Sequence, residues 1–274
     1  MKLKKTKLLI LSLVLTVIAA TVPMAAYGNT EVRYLGEGEY YETSETIQYD
    51  TKSVESYVIQ SAVPGFINAD ATKKNGCAPL AGTIVAGYYD RWFDELISGY
   101  TVGRSFGNFY MYYSQNSNDQ IQSAFDKLYT LMETNVGSAG TTENQFKNGL
   151  TAYVKSKNLN INIQSIGSGT NIDMRSLDNL LRQNKIGVMC CSKYNFITNL
   201  SDNGNAVNLT IKQSDFAHMI VIYGYSVYKY YRNGVNFQTD TYIDCVSTTN
   251  FAEFYKVKLN GYMQLDDFIM IDIN

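Results

Sequence analysis

One histidine, three prolines and four cysteines in 274 residues argue against several kinds of protein. A structural zinc site is poorly supported, because no Cys-x-x-Cys pair exists and a single His is left to complete a ligand set. So few prolines rule out a low-complexity wall linker, and no repeat period runs through the chain. Only one long apolar run is present, Leu8 to Val22, and it is shorter than the roughly 20 residues that span a bilayer.

That run follows Lys2, Lys4, Lys5 and Lys7 and precedes Pro23, Ala25, Ala26 and Gly28, the make-up of a secretory signal peptide. Residues 1–28 are therefore expected to be removed, with cleavage after Gly28 or close to it at Ala26. Neither a sorting tail nor a cysteine for lipid follows, so the mature chain is expected to be secreted and free of the membrane. Four of the 23 basic residues leave with the signal, so 19 remain against 25 acidic ones, a net charge of −6. Such a surface repels phosphates, which argues against a nucleic-acid partner. With 45 % apolar residues the remainder can build a substantial core.

Residues 29–55 are polar and acidic and read as an exposed lead-in or a short pro-segment that shields a site. From residue 56 the pattern is globular. Its first half, about 56–158, is mainly helical: from Cys77 the apolar residues Ala81, Ile84, Val85, Tyr88 and Trp92 recur at three- and four-residue spacing, predicting one buried face. Asp119 to Glu133 and Thr142 to Ser156 predict two more helices, the last capped by Thr142. The second half, about 159–274, predicts a strand from Ile161 to Ile166, a short helix from Asp173 to Leu181, and further strands. These run over Ile186–Cys191, His218–Tyr225, Thr241–Val246, Phe254–Leu259 and Phe268–Ile273. Helices first and strands after them predict an α+β fold with two unlike lobes and a cleft between them.

In Asn75-Gly76-Cys77-Ala78-Pro79 a glycine turn feeds a cysteine into the start of a long helix. The positive end of the helix dipole favours thiolate, and free first-turn amides can donate to an oxyanion. The only histidine, His218, opens the apolar strand His218-Met219-Ile220-Val221-Ile222-Tyr223 and is the only imidazole able to activate a thiol. Asp244, in Tyr242-Ile243-Asp244-Cys245, is the carboxylate expected to orient it, giving a Cys–His–Asp order. The Asn233-Gly234 turn is off-centre for that pairing, so a bulge or longer loop is required. Asp215 reads as a solvated turn residue. An even cysteine count allows two disulfides, yet adjacent Cys190 and Cys191 point to opposite faces of a strand. Those two and Cys245 are expected to pack as small apolar side chains.

The stretch Asn75 to Arg91, with Gly-Cys-Ala-Pro and a later Tyr-Tyr-Asp, resembles the nucleophile helix of bacterial papain-like cysteine peptidases related to the double-glycine, bacteriocin-processing peptidases. His218 to Tyr225 is similar to their His strand, and Gly140 to Tyr153 is also similar to a segment of theirs. The resemblance spans about residues 58–274. It implies a papain-like fold, hydrolysis of a peptide or protein substrate through a thioester, and no cofactor. The family carries a Gln shortly before the Cys; Ala71 stands there in this chain. Asn68, in a lead-in that also resembles the family's, is the nearest amide and is expected to join the Cys77 amide in the oxyanion hole. The rival expectations are a cell-wall amidase or endopeptidase, whose usual Asp-Cys-Ser-Gly is absent, and a catalytically silent secreted binding module.

Overall fold

The computed structural model describes residues 32–36, 38–59, 63–100, 105–106, 109–110, 119–169, 171–248, 254–259 and 261–274. The signal peptide expected over 1–28 lies outside the described residues. Among the described residues the fold is α+β, with four helices against a mostly antiparallel sheet.

Three helices come from the first half: α1 (Cys77–Tyr89), α2 (Asp119–Leu131) and α3 (Glu143–Lys155). Local chemistry sets where α3 starts, since Thr142 and Gln145 form a reciprocal capping box. Asp173 caps α4 (Met174–Arg182) in a similar way, accepting from the amides of Arg175 and Ser176. Helix α1 departs from the one-sided pattern expected of it: all its residues are buried, and Trp92, past its end, is 48 % exposed. It lies between the other helices and the sheet, so it has no solvent face to keep polar.

The sheet has ten strands, among them β9 (Ile186–Asp202), β11 (His218–Arg232), β12 (Val235–Val246), β13 (Phe254–Leu259) and β14 (Gln264–Ile273). Strands β11, β12, β13 and β9 close on one another, because β9 also pairs with the start of β11. Strand β7 (Ile161–Ser168) borders β14, and β10 (Ala206–Ser214) lies against β9.

The stretch expected to be an exposed lead-in is not a loose arm. Strands β2 (Tyr41–Gln48) and β3 (Thr51–Val58) pair with β10 and β11 over their whole length. Their side chains are mostly exposed, so the polar composition fits one-sided edge strands as well as it fits a solvated tail. Ahead of them, β1 (Arg33–Tyr34) pairs with β6 (Thr141–Thr142) just before α3. A large core joins α1, α2, α3 and α4 to β9, β11 and β14, and a smaller one around Tyr49, Val207, Tyr230 and Tyr242 fills the far end. All four cysteines are buried and free.

Candidate active site

Cys77 is the first residue of α1, reached through Asn75 at φ 58° and Gly76 as the helix cap. The turn is pinned from outside: Asn75 Nδ2 donates to Asn135 Oδ1 at 2.8 Å, and Asn135 Nδ2 donates to the Lys74 carbonyl at 3.0 Å. No side chain caps the helix, so its first amides stay available to the site. The backbone amides of Met219, Ala78 and Cys77 lie near the Cys77 sulfur and favour thiolate. Burial outweighs them. With the residue only 2 % exposed, the thiol is pushed up to about 12, opposite to the lowering expected from the helix end alone.

His218 is fully buried at the first position of β11, opposite Cys191 of β9. The Tyr194 ring stacks on the imidazole at 4.8 Å between centroids and 24° between planes, and Phe196 meets it edge-on at 6.4 Å. Its Nε2 lies 3.0 Å from Thr248 Oγ1. The Thr248 hydroxyl spends its own proton on the Met219 carbonyl, so it accepts from Nε2–H. With that proton on Nε2, Nδ1 carries the lone pair; it is buried and makes no hydrogen bond, although the Gly36 backbone lies close enough to the ring to favour its charged form. Burial pushes the imidazole pKa down to about 3, weakly opposed by the Gly36 backbone. Met219 links the two groups, its amide on the thiol and its carbonyl on the residue that holds the histidine.

Asp244 is not the partner of His218. It stands opposite Gly224, six residues along β11 from the histidine, a run of about 20 Å at the usual strand rise. Its carboxylate bonds Lys256 of β13. Two bulges do interrupt the β11–β12 ladder, at Ile222/Gly224 and Tyr230/Tyr231, but they shift the register too little. Because β12 ends with Val246 opposite Val221, the residues just beyond it run toward the start of β11, and Thr248 meets the ring there. Thr248 is the residue missed by sequence reasoning; its one signal is a hydroxyl just past the end of the strand paired with the His strand.

Asn68 lines the same pocket as Cys77 but spends its amide locally. Nδ2 donates to the carbonyls of Asp70 and Lys73 at 3.0 and 2.9 Å, and Oδ1 accepts from the Asp70 amide. Both amide protons are committed, so the side chain acts as a turn staple and has none left for an oxyanion. Asp215 is an exposed residue paired with Lys193 and Tyr262.

No family model, curated protein or solved structure matches the chain. What the site can do therefore rests on its own geometry. A pocket of about 450 Å³ opens at the helix start, lined by Cys77, Gly76, Leu80, Thr248, the 68–75 loop and, from the N-terminal segment, Leu35 and Gly36. It brings the thiol together with the uncapped start of α1 and with Thr248, the residue that holds the ring of His218; the buried imidazole is not itself among the lining groups. Among the described residues no group of three or more His, Cys, Asp or Glu side chains is arranged to hold a metal.

Proposed function

We propose that the chain is a secreted cysteine peptidase of papain-like architecture, with Cys77 as nucleophile and His218 as base. The observation that carries this reading is the orientation of the imidazole. Thr248 holds Nε2–H, so the basic Nδ1 is left for a proton beside the strand residue, Met219, whose amide touches the nucleophile. The sulfur sits at an uncapped helix start, where the Cys77 amide serves as the oxyanion donor in place of the Asn68 side chain.

In the reaction, Nδ1 takes the thiol proton and Sγ adds to the substrate carbonyl carbon. The tetrahedral oxyanion is held by the Cys77 amide. Its collapse breaks the C–N bond, and the imidazolium returns the proton to the departing amine. Water, deprotonated by Nδ1, then cleaves the thioester and regenerates the thiol. The buried pair starts neutral, so proton transfer accompanies attack, and Thr248 serves as the positioning residue for the ring.

The test is incubation of the purified mature chain, wild type and Cys77→Ala, with a peptide library and with peptidoglycan. Cleavage of library peptides by the protein that keeps Cys77, at the rate its buried thiol becomes accessible, and none by Cys77→Ala, is expected. Release from peptidoglycan alone would replace the reading by a wall hydrolase. Activity on neither, by a chain whose Cys77 is open to alkylation, would leave a silent binding module.

A further inference from the structure

The thiol and the imidazole are buried, although a working site needs access. The cover is the chain's own N-terminal segment. Leu35 and Gly36 line the active-site pocket, and the amides of both donate to the carbonyl of Ala217, the residue just before His218, at 3.1 and 3.3 Å. A Cβ built on Gly36 would stand 3.7 Å from the Cβ of Cys77, so the backbone passes directly over the nucleophile, with Gly36 at φ +97°.

The segment is seated as a ligand is. Tyr34 is 1 % exposed, and its hydroxyl donates to Asp266 Oδ2 at 3.2 Å, while Ser192 holds the other carboxylate oxygen. Arg33 donates to the carbonyls of Ala139, Val136 and Gly140 at 2.9, 3.3 and 2.9 Å. The seat is shaped for the segment, since a Cβ on Gly140 would come within 2.8 Å of the Tyr34 carbonyl. Main-chain bonds to a strand terminus with alternate side chains in pockets are how an extended peptide is recognised.

We propose that Arg33–Gly36 is an intramolecular occupant of the substrate cleft that keeps Cys77 latent, and that the pocket holding Tyr34 against Asp266 takes an aromatic side chain of an incoming peptide once the segment is displaced. The latency stands on geometry alone; the substrate preference rests on the peptidase reading above. Displacement of four residues exposes the nucleophile without disturbing β2 or β3, which are held by their own pairings.

Iodoacetamide labelling, followed by mass spectrometry, tests this in the full mature chain. In the wild type Cys77 reacts slowly; in Tyr34→Ala and Arg33→Ala it is expected to react about tenfold faster or more, as the segment opens more often, while Cys190, Cys191 and Cys245 stay protected. The peptide Val-Arg-Tyr-Leu-Gly added to Tyr34→Ala is expected to slow the labelling again, and Val-Arg-Ala-Leu-Gly to leave it unchanged. Wild-type rates in both variants would overturn the latency, and equal protection by both peptides would overturn the aromatic pocket. If Tyr34→Ala unfolds, seen as joint labelling of all four cysteines, Arg33→Ala carries the same test, because its side chain is only partly buried. Labelling needs no turnover, so a chain that opens on cue yet cleaves nothing would contradict the peptidase reading and leave the latency standing.

Discussion

Replacing Thr248 by valine keeps the side chain's shape and removes one oxygen. In the folded protein that oxygen accepts from His218 Nε2–H and donates to the Met219 carbonyl, and both partners are buried. Leaving two buried polar groups unpaired costs about 1–3 kcal/mol each, so Thr248→Val is expected to lower unfolding stability by roughly 2–6 kcal/mol. The effect on catalysis follows from the neutral resting pair. With His218 held near pKa 3, its partner must choose the tautomer as well as the ring angle. Losing a bond worth about 1.5–2 kcal/mol to the correct tautomer lowers kcat about ten- to thirtyfold with little change in KM. Thr248→Ser, which keeps the hydroxyl, is expected to stay within about threefold of wild type. Steady-state hydrolysis with the covering segment opened by Tyr34→Ala in each, and urea unfolding of the three proteins, measure both effects. A folded Thr248→Val with wild-type kcat would refute the role of Thr248 and, with it, the inferred proton on Nε2.

Asp244→Ala is expected to leave kcat unchanged and to cost about 1–3 kcal/mol in urea unfolding, because it strands the partly buried Lys256 amine; a loss of kcat in the folded variant would return Asp244 to the site. Asn68→Ala is expected to lower stability by about 1–2 kcal/mol through the loop it staples, with kcat within a few-fold of wild type. A hundredfold fall in kcat would make Asn68 an oxyanion donor after all. Because the folded pKa of His218 lies below its ordinary value of 6.5, folding favours the neutral ring. Its contribution is complete above pH 6.5 and is lost as pH falls toward 3, by up to about 1.4 kcal/mol per unit. Urea midpoints over that range are expected to fall more steeply in the wild type than in His218→Gln, whose remaining slope comes from carboxylates such as Asp173 and Asp178, and equal slopes would place the titration elsewhere.

The positions of Cys77 at a helix start and His218 at a strand start are legible in the sequence because a glycine turn before a helical spacing and an apolar run after the histidine announce them locally. Helix α3 is legible for the same local reason, its cap and capping partner lying three residues apart. Asp244 misleads because the alignment of β11 with β12 depends on two bulges that no local pattern announces. Thr248 is invisible until that register is known, being one hydroxyl residue among many. Strands β2 and β3 are hidden by composition: nearly all their side chains face solvent, so the alternation that marks a half-buried strand is missing. The raised thiol pKa has a similar origin, since the segment that buries Cys77 lies more than forty residues upstream of it.

Peptide-bond hydrolysis by a chain whose N-terminal segment is released tests the central claim most directly. Tyr34→Ala and the double variant Tyr34→Ala/Cys77→Ala are incubated with the same peptide library, and products are identified by mass spectrometry. Hydrolysis by the first and none by the second is the predicted result. Equal hydrolysis by both, or none by a Tyr34→Ala protein whose Cys77 labels freely, would contradict the assignment of Cys77 as a peptidase nucleophile.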